Sequence, residues 1–319
     1  MAFSPGWAGW ERKDTERHQH PQACRGLQPA AALRKLPAMN AHDGENSLPG
    51  SGGKPVAWAL VTGASAGIGA EFCRQLAAQG YALVLVARRA ERLQALGQEL
   101  QSRYGIEFVS LPMDLSRPDA PALLAEALHE RDIEPEFLVN NAGYGVPGRL
   151  CDVAWAEHQD FLQVMVTAVC ALCRLLMPAM QRRGRGHIIN VASVAGLVPS
   201  SEGHTLYGAS KAFLVRFSES LALEGARDNV RVSALCPGFT YSEFHDVTGT
   251  RDRVSQLPGY MWLQADEVVR YGLESVQRDN PRVIAVPGRF YRALVWVAGA
   301  LPWLGRFLAN RYSSRFRKT

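Results

Sequence analysis

A doubly wound α/β domain, built on one parallel sheet of about seven strands with helices on both faces, is the fold class predicted by this sequence of 319 residues. Three observations predict it. Short apolar runs such as ALVLVA (82–87), FLVN (137–140) and HIINVA (187–192) are continuous rather than alternating, as strands buried on both faces must be. Segments of helical period separate these runs, and a regular strand–helix alternation implies parallel strands with the helices packed on both sides. No repeat of the solenoid kind runs along the chain.

Residues 1–54 hold no sustained periodicity and are rich in Pro, Gly, Gln, His and charge. The SLPGSGG stretch at 47–53 reads as a flexible linker, so an N-terminal extension that is disordered, or helical only near 30–36, is expected. From Val56 the order becomes regular: strand 56–61, helix 67–79, strand 82–87, helix 90–104, strand 107–111, helix 118–130, strand 137–140. A long helix over 155–182 follows, then strand 187–192, helix 205–227, strand 230–236, helix 265–278 and strand 282–286. One domain of the Rossmann type is therefore expected over 55–288, with 289–319 as a basic amphipathic helical tail.

Charge narrows the partners. The formal net charge is +5, but residues 288–319 carry seven Lys/Arg and no acid, and residues 1–54 carry seven bases against five acids. The stretch between them is left at −4, so the domain is no general nucleic-acid binder. Six cysteines are scattered. Cys170 and Cys173 form a C-x-x-C inside a helical pattern with no second Cys/His pair, which reads as buried packing; no metal is expected. Nothing asks for an oxidising compartment, no apolar signal core precedes the domain, and a cytoplasmic protein is expected.

The first strand runs into Thr62-Gly63-Ala64-Ser65-Ala66-Gly67-Ile68-Gly69 and then a helix. Gly63 permits a tight turn, Gly67 lets backbone approach a pyrophosphate, and Gly69 lets the helix lie close to the sheet, whose unpaired N–H groups face phosphate. Alone, such a loop is as readily a mere turn; its place between the first strand and a helix strengthens it. The second strand ends at Ala87-Arg88-Arg89 with no carboxylate for ribose hydroxyls. Guanidinium forks there suit a 2′-phosphate, which selects NADP(H) over NAD(H). Tyr207 and Lys211, four apart on a helix, share a face, and Ser193 ends a buried strand fourteen residues before Tyr207. An adjacent ammonium, together with a positively charged oxidised nicotinamide, is expected to lower the phenol's pKa toward working range, while the Ser193 hydroxyl holds a substrate oxygen.

These residues together resemble the short-chain dehydrogenase/reductase family over roughly 56–288. The resemblance rests on TGASAGIG (62–69), Asp114-Leu115, Asn140-Asn141-Ala142-Gly143, Ser193 within NVASVAG, YGASK (207–211) and Pro237-Gly238. It implies that Asp114 holds the adenine amino group and that Asn141, Ala142 and Gly143 line the cofactor. It further implies that Lys211 bonds the nicotinamide ribose and that Pro237-Gly238 flanks the carboxamide. The stretch 196–219 is similar to a ketoacyl-reductase-like subgroup, several of whose members act on fatty or steroid-type carbonyls. One departure stands out: members usually carry an Asn that bends the long helix and holds a water, and here that slot is Met165.

The expected activity is thus reversible reduction of a hydrophobic ketone or aldehyde, with Tyr207 as acid/base. The alternative is an NADP-binding regulatory protein with weak turnover, which Met165 alone favours. An apolar pocket lined by Tyr144, Val194, Leu197, Val198, Phe239, Tyr241, Phe244, Tyr260, Met261 and Trp262 is expected. A homo-oligomer is expected as well. The Arg- and aromatic-rich tail suits a peripheral membrane contact, a cover over the pocket or a subunit contact.

Overall fold

The computed structural model describes residues 57–146, 148–200, 203, 205–243, 257–301 and 303. The expected extension at 1–54, Phe244 and the tail beyond 303 lie outside the described residues.

Seven strands form one parallel sheet: β1 (Trp58–Thr62), β2 (Ala82–Ala87), β3 (Phe108–Pro112), β4 (Pro135–Asn140), β5 (Gly186–Val191), β6 (Val230–Leu235) and β7 (Ile284–Ala285). Their order is β3-β2-β1-β4-β5-β6-β7. Consecutive crossovers run one way from β1 to β3 and the other way from β4 to β7, so the direction reverses between β1 and β4. A crevice opens at the carboxyl ends of strands flanking such a reversal, and ligands of open α/β sheets bind there.

The helices are α1 (Gly67–Ala78), α2 (Ala90–Tyr104), α3 (Ala120–His129), α4 (Trp155–Leu162), α5 (Ala168–Arg183), α6 (Thr205–Gly225), α7 (Ala265–Gln277) and α8 (Arg289–Ala300). Leu60, Val61, Leu83, Leu85, Phe137, Leu138, Ile188 and Ile189 are fully buried, as the continuous apolar runs require. α1 and α7 close one side through Phe72, Leu76, Val269 and Leu273, all buried. Gly105 and Gly184 end α2 and α5 in the left-handed region, which a residue without Cβ adopts at low cost.

Two expectations need correcting. The helix expected over 155–182 is not one regular helix: Gln163–Thr167 is wound as a π-helix between α4 and α5. The seventh strand is two residues long instead of five, because only Ile284 and Ala285 pair with β6, at Ala234 and Leu235. By length and composition Trp155–Arg183 passes for a membrane span, yet half of its apolar window is buried, with Leu172, Cys173 and Met180 in the core.

Candidate active site

Ser193 leaves the end of β5 with extended backbone and caps a short 3-10 turn, its Oγ accepting from Ala195 N at 3.1 Å and lying 3.4 Å from Pro237 O. That turn packs on α6 so closely that a side chain on Gly196 would begin 2.5 Å from the Lys211 carbonyl carbon. Because the turn and the helix touch backbone to backbone, Ser193 and Tyr207 meet: their side chains are hydrogen-bonded. Lys211 is buried, its Nζ donating to Val191 O at 2.7 Å and lying 5.7 Å from the Tyr207 ring centre. The three residues expected to act together are thus brought together.

Burial dominates the electrostatics of Tyr207 and Lys211. Burial pushes the Tyr207 phenol above its ordinary range, and the Ser193 hydrogen bond only partly opposes this. Burial also pushes Lys211 down to about 8. Desolvation is the larger effect on both groups, while Lys211 Nζ is held by a strand carbonyl.

At the β1/β4 crevice, the Thr62 side chain links two loops. Its Oγ1 accepts from the backbone N–H of Asn141 and of Ala142, both at 3.0 Å. Asn141 Nδ2 donates back to Thr62 O at 3.0 Å and to Gly63 O at 3.3 Å. Gly63 sits at φ +66, and Gly69 faces its carbonyl so closely that a Cβ would start 2.2 Å from it. Gly143 lies against the Met165 thioether. Ile68 stands in the first turn of α1 and packs on the core. Asp114 Oδ1 accepts from Ser116 N at 3.0 Å, and Leu115 is buried against Val164 and Ala168. Pro237 O accepts from Val194 N at 3.0 Å. Gly238 is covered by the Tyr291 ring, whose hydroxyl accepts from Phe239 N at 3.0 Å and donates to Met261 O.

The residues fit a phosphorylated dinucleotide on two observations. α1 has no side-chain cap and no acid in its first turn, leaving its N–H groups and positive dipole end free for phosphate. Beside it, the Glu243 carboxylate stands on two guanidiniums, Arg89 Nη1 at 3.2 Å and Arg92 Nη1 at 2.8 Å, an anion in an anion's place. Arg89 also reaches Ser65 Oγ through Nε at 3.2 Å and Nη2 at 3.0 Å. Arg88 is exposed and joins no ion pair among the described residues, so the arginine turned toward the glycine-rich turn is Arg89.

The pocket beside Tyr207 is lined by Val146, Gly148, Leu150, His158, Phe161, Thr205 and Leu206. It is mainly apolar and is bounded by the segment after β4, by α4 and by α6, while the expected lining after β6 runs partly through residues 244–256, outside the described residues. Within the described part of that lining, Tyr241 stacks on Trp262 at 4.6 Å, and Tyr260 packs edge-on against Phe290 at 5.4 Å. Sequence reasoning missed His158, buried with Nε2 on Leu150 O at 3.0 Å. It also missed a buried chain in which Asn140 donates to Asn190 at 2.9 Å and Asn190 to Ser218 at 2.9 Å, tying β4, β5 and α6 together. Polar residues inside otherwise apolar runs are the signal that could have revealed it. The Cys170/Cys173 pair is packing, with burial pushing the Cys173 thiol up to about 12, and no metal-binding cluster occurs among the described residues.

Comparison with known proteins matches residues 57–252 to the short chain dehydrogenase family. The chain is 36% identical over 207 residues to a very-long-chain 3-oxoacyl-CoA reductase of Laccaria bicolor, a match covering 63% of this chain and 61% of that one. It is 33% identical over 202 residues to a 7beta-hydroxysteroid dehydrogenase of Mediterraneibacter gnavus, covering 63% and 73%. Among solved structures, a short-chain dehydrogenase from Sphingobium yanoikuyae in complex with NADPH superposes with TM-score 0.68 at 32% identity, covering 78% of this chain and 95% of that one.

Proposed function

This chain belongs to the short-chain dehydrogenase family, and from that premise we propose that it is an NADP(H)-dependent oxidoreductase interconverting a hydrophobic ketone or aldehyde and its alcohol, with Tyr207 as the acid/base. The observation that carries this reading is the convergence of Ser193, Tyr207 and Lys211, with Tyr207 also lining a largely apolar pocket. NADPH-bound and NADP-bound neighbours of the same fold support the cofactor.

The cofactor supplies the hydride in reduction and accepts it in oxidation. Ser193 holds the substrate oxygen by its hydroxyl, next to the phenol it already bonds. Tyr207 gives its phenolic proton to that oxygen as negative charge develops there. A phenol pushed up by burial keeps its proton, which suits the acid role. Lys211, whose Nζ lies 5.7 Å from the Tyr207 ring centre, would supply the positive or hydrogen-bonding group that holds the nicotinamide ribose. Val146, Leu150, Phe161 and Leu206 exclude water and select an apolar substrate.

The test is steady-state oxidation of NADPH with a panel that includes a β-ketoacyl thioester and a ketosteroid, the compound classes named in the relatives. Tyr207→Phe keeps the ring and removes the proton. It is expected to cut kcat at least about a hundredfold while NADPH binding stays within about twofold. Retention of a tenth of the wild-type kcat would exclude Tyr207 as the acid.

A further inference from the structure

We propose that Glu243 is a built-in competitor for the 2′-phosphate seat, its carboxylate holding Arg89 and Arg92 until a cofactor phosphate displaces it. The inference rests on the NADP(H) reading and deepens it by naming a residue that sets cofactor affinity and choice.

Both carboxylate oxygens are engaged: Oε1 lies 2.8 Å from Arg92 Nη1, and Oε2 lies 2.9 Å from the same nitrogen and 3.2 Å from Arg89 Nη1. Arg89 is itself fixed by two bonds to Ser65 in the glycine-rich turn. Two guanidiniums closing on one anion, beside a loop that cradles phosphate, is the donor set that a phosphate monoester would take. Partial burial works against ionisation of Glu243, but Arg92 and Arg89 outweigh it and hold the carboxyl below its usual range. The anion therefore persists at neutral pH.

Position makes the carboxylate a competitor. Glu243 follows Ser242, whose Cβ lies 3.0 Å from the point where a side chain on Gly67 would begin. The chain after β6 thus lies directly over the first residue of α1 and delivers its acid to the arginines from above. The contact is reversible: Arg89, Arg92 and Glu243 are each between 42% and 51% exposed, and ion pairs this open are weak. A dianionic phosphate displaces one carboxylate, whereas the uncharged 2′-hydroxyl of NADH does not. The arginines then serve NADP(H), and the protein's own acid occupies them otherwise.

The experiment is equilibrium titration of the full-length protein with NADPH and with NADH, for the wild type, Glu243→Gln and Glu243→Asp. Removing the competitor is expected to tighten NADPH about 3- to 10-fold and leave NADH within about twofold. Glu243→Asp keeps the charge on a shorter arm and is expected to fall between. A residue that merely props up the arginines predicts the opposite sign, so NADPH binding that is unchanged or weaker in Glu243→Gln overturns the proposal while leaving the cofactor reading intact. Equal dissociation constants for NADPH and NADH in the wild type, unaffected by Arg89→Ala, overturn both.

Discussion

Lys211 shows how a buried charged position taxes the fold. Its ammonium is buried and its pKa falls to about 8 from an ordinary 10.5. Between those values the unfolded chain holds more protons than the folded one, so this group makes stability rise with pH across that window. Below about 8 the folded protein carries a buried ammonium at a cost of about 3 kcal/mol, offset in part by the bond to Val191 O. Lys211→Met is therefore expected to raise the melting temperature at pH 7, with the difference from wild type closing near pH 10.5, while NADPH binding and rate both fall. Thermal melts at both pH values check this; a variant less stable at pH 7 would show that the Val191 bond outweighs the burial. Ser193, Tyr207 and Lys211, singled out from the sequence and brought together in the structure, lie within 19 positions on adjacent elements, where spacing and helical period carry the information. Glu243 was illegible for the converse reason. Its partner Arg89 is 154 residues away, and an acid in a polar run looks like any other acid.

At the scale of elements, the π-helix at Gln163–Thr167 separates two roles that the family assigns to one Asn. The helix departs from regular winding although Met165 fills that slot, so the bend does not need the amide. Met165 is buried with its thioether against Gly143 and offers no polar atom for a water. Slow proton resupply to Tyr207 is the expected consequence, seen as a solvent deuterium isotope effect on kcat larger than the effect of deuterated NADPH. Met165→Asn is expected to raise kcat and shrink the solvent effect, while burying an amide among apolar neighbours costs about 1–3 kcal/mol of stability. A dominant hydride effect in both proteins would mean that the missing Asn has no kinetic consequence. The π turn was hidden in the sequence because apolar residues on either side keep a helical period, and five residues of altered winding leave too short a trace to change it. Strand positions, by contrast, were legible to within about two residues for β1 to β6, since a strand buried on both faces has to be apolar throughout.

In the described molecule the loop after β6 is held from the far end of the chain. The alternation of strands and helices makes a parallel sheet readable, but for the Arg- and aromatic-rich tail it leaves a membrane contact, a cover over the pocket and a subunit contact open. Tyr291 supplies the missing information. It is 2% exposed, lies flat on Gly238, and its hydroxyl bonds both Phe239 N and Met261 O, so a single side chain joins α8 to the loop after β6 and to the turn before α7. The opposite side of α8 leaves Trp296 exposed. Burial pushes the Tyr291 phenol up to about 12, so it remains a neutral donor and acceptor across the working range. Tyr291→Phe keeps the ring over Gly238 and strands one buried donor and one acceptor. The expected loss is about 2–3 kcal/mol, a fall in Tm of about 4–12 °C for a domain of this size. NADPH binding should weaken as well, because the Pro237-Gly238 backbone loses its support. A Tm within about 1 °C of wild type would show that packing alone, not the two hydrogen bonds, holds the last helix on the site.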